Sequence, residues 1–400
     1  MAMRHVDDAE RRARLARRHG LHPAHRLDDV LSATRAMTVL HSTESATPYL
    51  SVGARTDGVG PEQVDRALYE QRSVVRQLAM RRTLFVLPRD LLPAALGSAA
   101  ARVAAEQRRR LTRDVERHGI ARDGTAWLEA ACEAVLRHLA GSEPLPARRL
   151  REEVPELTGT VTVGVGTRYG GTFPVAPRVL AVLGAEGRIT RGPNAGHWRT
   201  WRPTWTLTAD WLGEDVEPVC PEEGYAELVR RWLRTFGPGT ADDLRWWLGS
   251  TVSAVRTALA DVGAVEVSLA DGHSGWVLPD DTEPADPVEP WAALLPTLDA
   301  TTMGWRGREH YLDPADVPYL FDTNGNAGTT AWWDGRVVGA WVQDPDGTVQ
   351  VVLTPAGTAR AGRQGRAALR EEAACLSGWL DGVVVPHVYA SRLMKGARLP

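Results

Sequence analysis

The stretch Phe236-Gly-Pro-Gly-Thr-Ala-Asp-Asp-Leu-Arg-Trp-Trp-Leu248 continues into Thr251-Val-Ser-Ala-Val-Arg-Thr-Ala-Leu259 and Val265-Glu-Val-Ser-Leu269. It reads as helix, tight turn, helix and β-hairpin, the order of a winged helix-turn-helix, a device for gripping DNA. Gly237-Pro238 cannot continue the helix predicted over Tyr225 to Thr235, so the chain must turn there. Thr240 then caps a new helix whose first turn holds Asp242 and Asp243 against the exposed amides. Leu244, Trp247 and Leu248 recur on one face, and Ser250 or Thr251 opens a second helix carrying Val252, Val255, Ala258 and Leu259, with Arg256 outward.

Working outward, the same order is expected twice more. The first unit, residues 1–90, has a helix through Val30, Leu31 and Met37, a helix opened by Pro61, a third helix from Ser73 to Met80, and the strand Thr83-Leu-Phe-Val-Leu87. Residues 91–140 form a helical connector, with Arg102, Arg108, Arg109, Arg110, Arg113 and Arg117 on one solvated helix over 92–118. The second unit, 141–212, carries an inserted Thr/Val/Gly-rich segment, Thr158 to Gly171, which favours strand or flexible loop. A helix over Pro177 to Glu186 follows it, and then a hairpin from Arg188 to Arg199 turning at Pro-Asn-Ala-Gly. The third unit occupies 213–280. Residues 281–400 read as a β-rich domain with hairpins at Asp334-Gly335 and Asp346-Gly347, closed by a helix over about Ala368 to Leu380. The fold class expected is α+β: three tandem winged helices plus a C-terminal β-rich domain, arranged around a C-shaped DNA-binding cleft.

Four hundred residues exceed one ordinary domain, and 43% hydrophobic with 24% charged residues suits a globular chain. No apolar run is long enough to span a membrane and the N-terminus is charged, so a cytoplasmic protein is expected. Cys132, Cys220 and Cys375 are far apart, which argues against a structural metal or a disulfide framework, and no cofactor is called for. A formal net charge of −3 does not exclude nucleic acid, because the acidic groups gather in linkers such as Pro279 to Pro290 while the first 120 residues are Arg-rich. Of the 47 basic residues only Lys395 is a lysine, a bias attributed to a GC-rich genome.

Several separate stretches together resemble a bacterial family, the tandem winged-helix DNA glycosylases of the AlkZ and YcaQ type. They are Leu40-His-Ser-Thr-Glu-Ser-Ala-Thr-Pro-Tyr-Leu50 with Arg55, Met80-Arg-Arg-Thr-Leu84, Phe236 to Trp247, Leu294-Leu-Pro-Thr-Leu-Asp299, and Trp333-Asp-Gly-Arg-Val-Val-Gly-Ala-Trp341. The resemblance covers about residues 22 to 352. It implies a glycosylase that removes N7-substituted, bulky or crosslinked alkylpurines from duplex DNA, acts as a monomer and serves in genotoxin self-resistance. In that family a Gln-x-Gln or Gln-x-Asp pair precedes Pro-Tyr-Leu, and the matching positions are His41 and Thr43. Where the family has Gly-Thr-Leu-His, this chain reads Arg82-Thr-Leu-Phe85.

The candidate catalytic residues are therefore His41, Thr43 and Glu44. A neutral imidazole can accept a proton from a water, a threonine hydroxyl can orient that water, and Glu44 can stabilise a sugar cation or fix the His41 tautomer. On residues alone, Ser42 to Ser45 also reads as the start of the helix toward Tyr49. The candidate DNA-binding residues are Arg35, Arg55, Arg76, Arg81, Arg82, Arg168, Arg191, His197 and Arg199, any of which can neutralise a phosphate. The alternative readings are a non-catalytic winged-helix DNA-binding regulator, and a protein that sequesters a DNA-reactive compound on a Trp-lined surface.

Overall fold

The structure, a computed structural model, describes residues 3–164, 166 and 170–397. One order of elements recurs three times. First come the helix Val30–Ala36, the strand Leu40–His41, the helices Thr47–Gly53 and Pro61–Asp65, and the strands Val74–Ala79 and Thr83–Pro88. Asp29 caps the opening helix through a reciprocal pair with Ser32. Leu40–His41 lies antiparallel to Thr83–Pro88, which in turn pairs with Val74–Ala79.

The second occurrence runs through the helix Gly124–Leu139, the strand Leu145–Pro146, the helices Ala147–Glu153 and Ala176–Ala185, and the strands Ile189–Asn194 and Pro203–Leu207. Its short strand again pairs with the last strand. The third comprises the helices Pro221–Phe236, Ala241–Leu248 and Val252–Asp261, and the strands Val265–Leu269 and Ser274–Val277. There Gly239 bridges Trp276 in place of a short strand, and His5–Val6 adds a parallel strand to Val265–Leu269. Thr240 and Asp243 cap Ala241–Leu248 reciprocally, and Thr251 caps the next helix.

The C-terminal part is a four-stranded antiparallel sheet of Ala292–Leu295, Thr330–Trp333, Arg336–Gln343 and Val349–Leu353, in that spatial order. The helix Pro355–Leu380 packs across it. One continuous apolar cluster joins the first and third occurrences to Leu295, Trp332 and Ala340 of this sheet. A second cluster joins Leu111, from the preceding helix, to Leu128, Leu180 and Trp205 of the second occurrence. Among the described residues no helix is long and apolar enough to cross a membrane.

Several local expectations are corrected. Ser73 to Met80 is mostly the strand Val74–Ala79, not a helix; all six of its residues are buried, and burial on both faces removes the alternation that marks a strand. The basic hairpin does not turn at Pro-Asn-Ala-Gly. Its strands run to Asn194 and restart at Pro203, leaving 195–202 as a long tip. The region over 92–118 is not one solvated helix, since Leu92 and Leu96 to Ala100 are buried and the helix Ala101–Arg117 buries Val103, Ala104, Leu111 and Val115. The terminal helix begins at Pro355, with a break at Gly362, whose φ is +57°. Val252 is exposed rather than on the packed face. The inserted segment forms a hairpin of Thr160–Val163 with Gly171–Pro174.

Candidate active site and nucleic-acid interface

His41 ends its strand opposite Phe85, and the imidazole stands edge-on to that ring at 4.7 Å. Only 4% of the residue is exposed, and both ring nitrogens lack a hydrogen-bond partner among the described residues. Burial, reinforced by the positive charge of Arg81, pushes its pKa down to about 3, so the ring is neutral at physiological pH. Two of the positions where the chain departs from the resembling motifs, His41 and Phe85, are thus direct cross-strand neighbours.

The polar run after His41 does not cap the following helix, which starts at Thr47 without a side-chain cap. Its groups reach distant segments instead. Ser42 Oγ accepts from Arg76 Nε at 3.1 Å. Thr43 is exposed. Glu44 is buried, and one carboxylate oxygen accepts the backbone N–H groups of Val388 and Tyr389 at 2.6 and 2.8 Å. The expectation that Glu44 fixes the His41 tautomer is therefore corrected, because its lone pairs are engaged by the C-terminal segment and His41 has no partner. Ser45 Oγ donates to the carbonyls of Trp198 and Thr200, drawing the 195–202 tip onto this stretch.

That tip is shaped by Asn194. Its amide donates to the carbonyls of Gly196, His197 and Thr200, and its carbonyl accepts from Arg202 N. Trp198 lies 5.3 Å from the Tyr49 ring and 5.7 Å from that of Trp379. His197 is exposed, and Arg199 donates to the Val384 carbonyl.

Beside Ser42, the Arg76 guanidinium donates to the Tyr69 hydroxyl and lies 5.2 Å from the Trp201 ring. Arg191 stacks 4.5 Å over Trp205, and burial next to Arg76 pushes its pKa down to about 9. Arg76, itself only 4% exposed, and Arg191 lie behind the half-exposed Trp201. Past the hairpin, Arg81 lies 4.0 Å over the Trp246 ring and Arg82 faces solvent.

Other candidate cations sit elsewhere. Arg55 is corrected as a phosphate contact: it is wholly buried and donates to both carboxylate oxygens of Asp299, at 2.9 and 2.6 Å, and to Thr301. Arg35 is exposed but pairs with Asp90 at 3.1 Å. Arg168 lies outside the described residues. Asn194, Trp246 and Arg308 escaped the sequence reading, because an amide inside a hairpin, one tryptophan among fifteen and one arginine in a loop carry no distinguishing local pattern.

No curated protein matches the chain. The structure of Streptomyces sahachiroi DNA glycosylase AlkZ superposes on it with a TM-score of 0.70 at 21% identity, covering 93% of this chain and 97% of that one, a likeness of fold. The model of the family described as DNA glycosylase AlkZ-like matches residues 34–379, and with nearly the whole of the fold and the His41 segment inside that span, this chain belongs to the AlkZ-like DNA glycosylase family.

Proposed function

We propose that this chain is a monofunctional DNA glycosylase that hydrolyses the N-glycosidic bond of N7-substituted or bulky alkylpurines in duplex DNA, acting as a monomer in genotoxin resistance. The recurring order of helix, strand, two helices and two strands, with the first strand beside the last, supports reading each unit as a winged helix, arranged around one DNA-binding cleft. The same repeat supports a division into units near residues 1–90, 141–212 and 213–280, with a connector between the first two and the C-terminal sheet after the third.

The observation that carries the reading is His41, a neutral imidazole with two unpartnered nitrogens where the family places its reactive pair. An N7-alkylpurine already bears positive charge. When its C1′–N9 bond breaks, the electron pair leaves with the base, the ring becomes neutral, and an oxocarbenium ion remains on the sugar. A water then adds to C1′ and gives up one proton. With its pKa near 3, His41 stays neutral and acts as the hydrogen-bond acceptor that orients this water, whose proton goes to solvent. Thr43, exposed two residues along, supplies a hydroxyl to hold the same water. Arg76, Arg191, Arg81 and Arg82, with His197 and Arg199 on the long tip, supply cations for the backbone.

Single-turnover base release from duplex DNA carrying N7-methylguanine or a bulkier N7 adduct tests this. Wild type should leave abasic sites, and His41→Ala should be slower by about 10²-fold or more while still binding DNA. Binding without base release from either lesion would overturn the enzymatic reading in favour of a DNA-binding protein that keeps the fold.

A further inference from the structure

Two guanidinium groups meet over one indole, and one of them, Arg81, acts electrostatically on His41. Arg81 and Arg308 lie 4.0 and 5.5 Å from the centroid of the same indole, Trp246. Arg308 also donates Nε to the Thr302 carbonyl at 3.2 Å and lies 4.6 Å over the Phe321 ring. Nε and Nη2 of Arg81, Nη2 of Arg308 and both His41 nitrogens are shielded from water and lack hydrogen-bond partners among the described residues. The charge that acts on Arg81 is that of Arg308, and with burial it pushes the Arg81 pKa down to about 10. Among the described residues no carboxylate offsets it.

Such an arrangement is costly by itself, since desolvated like charges repel and unmade hydrogen bonds are lost. It is nonetheless built into the backbone. Arg81 has a left-handed φ of +54°, and a Cβ at Gly249, itself at φ +60°, would come within 3.4 Å of the Arg81 backbone and side chain. Both arginines are half-buried, each keeping part of its surface in solvent. Donors held in place, unpaired and of one sign are preorganised for an anion.

We propose that Arg81, Arg308 and His41 form a pocket for a single phosphodiester of the DNA strand, the one flanking the nucleotide whose base is released. This rests on the glycosylase reading and adds a subsite to it. A bound phosphate fixes the sugar relative to His41. It also removes an electrostatic conflict, because an oxocarbenium ion forming beside two bare guanidinium groups would be disfavoured, whereas a phosphate between them presents negative charge to the sugar.

The test is binding of lesion-containing duplex in which one phosphate at a time is replaced by a neutral methylphosphonate, with wild type, Arg81→Gln, Arg308→Gln and Arg81→Lys. One flanking position is expected to weaken wild-type binding by about tenfold, and at that position alone the Gln variants should show no further loss. Arg81→Lys, which keeps the charge, should recover part of the sensitivity and reports that the variants fold. If losses multiply at every phosphate, the assignment is overturned. If inorganic phosphate shifts the His41 imidazole NMR signals while no methylphosphonate position behaves specially, the pocket takes free phosphate and the DNA assignment fails. Base release is measured separately: position-specific non-additivity without base release keeps the pocket and defeats the glycosylase reading, and the reverse result does the opposite.

Discussion

The carboxylate of Glu44 holds the backbone of the C-terminal segment, one oxygen accepting the N–H groups of both Val388 and Tyr389. His387, whose Nδ1 lies 3.7 Å from the other oxygen and 2.9 Å from Thr297 Oγ1, closes the junction. A buried carboxylate used in this way is a clasp between the His41 segment and residues 387–389, and it leaves Val388, 80% exposed, standing beside the candidate site.

Glu44→Gln should therefore act first on the clasp. An amide keeps an acceptor but loses charge assistance, worth about 1.5–3 kcal/mol for hydrogen bonds to a charged group. Faster amide exchange or proteolysis of residues 384–394 is expected, with base release changed only a few-fold. A loss of two orders of magnitude with the segment still protected would instead place Glu44 at the sugar cation.

Arg55 and Asp299 are both fully buried, and Arg55 offsets the burial that would otherwise raise the Asp299 pKa, holding it below the usual carboxylate range. Breaking such a pair leaves an uncompensated charge inside, so Arg55→Met should lower the unfolding free energy by about 3–5 kcal/mol in urea titrations. The dependence of DNA affinity on salt should keep its slope, because no phosphate contact is lost. A shallower slope with unchanged stability would return Arg55 to the DNA interface.

The long tip 195–202 gives a third test. Asn194 satisfies four backbone groups there, and Asn194→Ala leaves them to water. The tip should lose its hold on Ser45 and Tyr49, DNA affinity should fall, and thermal stability should change little because the apolar cluster of that unit is untouched. Equal affinity for both proteins would remove the tip from the interface.

The legible parts of the fold were those specified locally. Thr240 with Asp243, Thr251, and the glycine turns at 335 and 347 all act within a few residues of themselves, so 236–269 and the C-terminal hairpins could be read directly. Val74–Ala79 could not, because burial on both faces erases its period. Around His41 the direction of charged groups was not legible. An arginine bound for phosphate and one bound for Asp299, 244 residues away, look alike in sequence, and Glu44 meets its partners 344 and 345 residues on. The departures at His41 and Phe85 read as two separate losses in sequence and become one contact only when the strands pair.

Acid stability follows from three histidines held neutral inside the fold. Burial pushes His19 and His41 down to about 3 and His310 well below its ordinary value. His19 bonds Thr301 and the Thr235 carbonyl, whereas His41 and His310 have no partner among the described residues. Their folded pKa values lie below the unfolded value of about 6.5, so the unfolded chain takes up protons that the folded chain refuses. The contribution is fully present above about pH 6.5 and is lost as pH falls toward the folded values. With three sites the slope approaches about 4 kcal/mol per pH unit, enough to exhaust an ordinary stability of about 5–15 kcal/mol before pH 3. Urea midpoints should be flat from pH 8 to 7 and fall steeply below 6, and His41→Gln, which cannot titrate, should reduce that slope by about 1.4 kcal/mol per pH unit. A midpoint that stays constant from pH 7 to 5 would mean that these rings take up protons inside the fold, and the neutral His41 on which the water-orienting role depends would go with it.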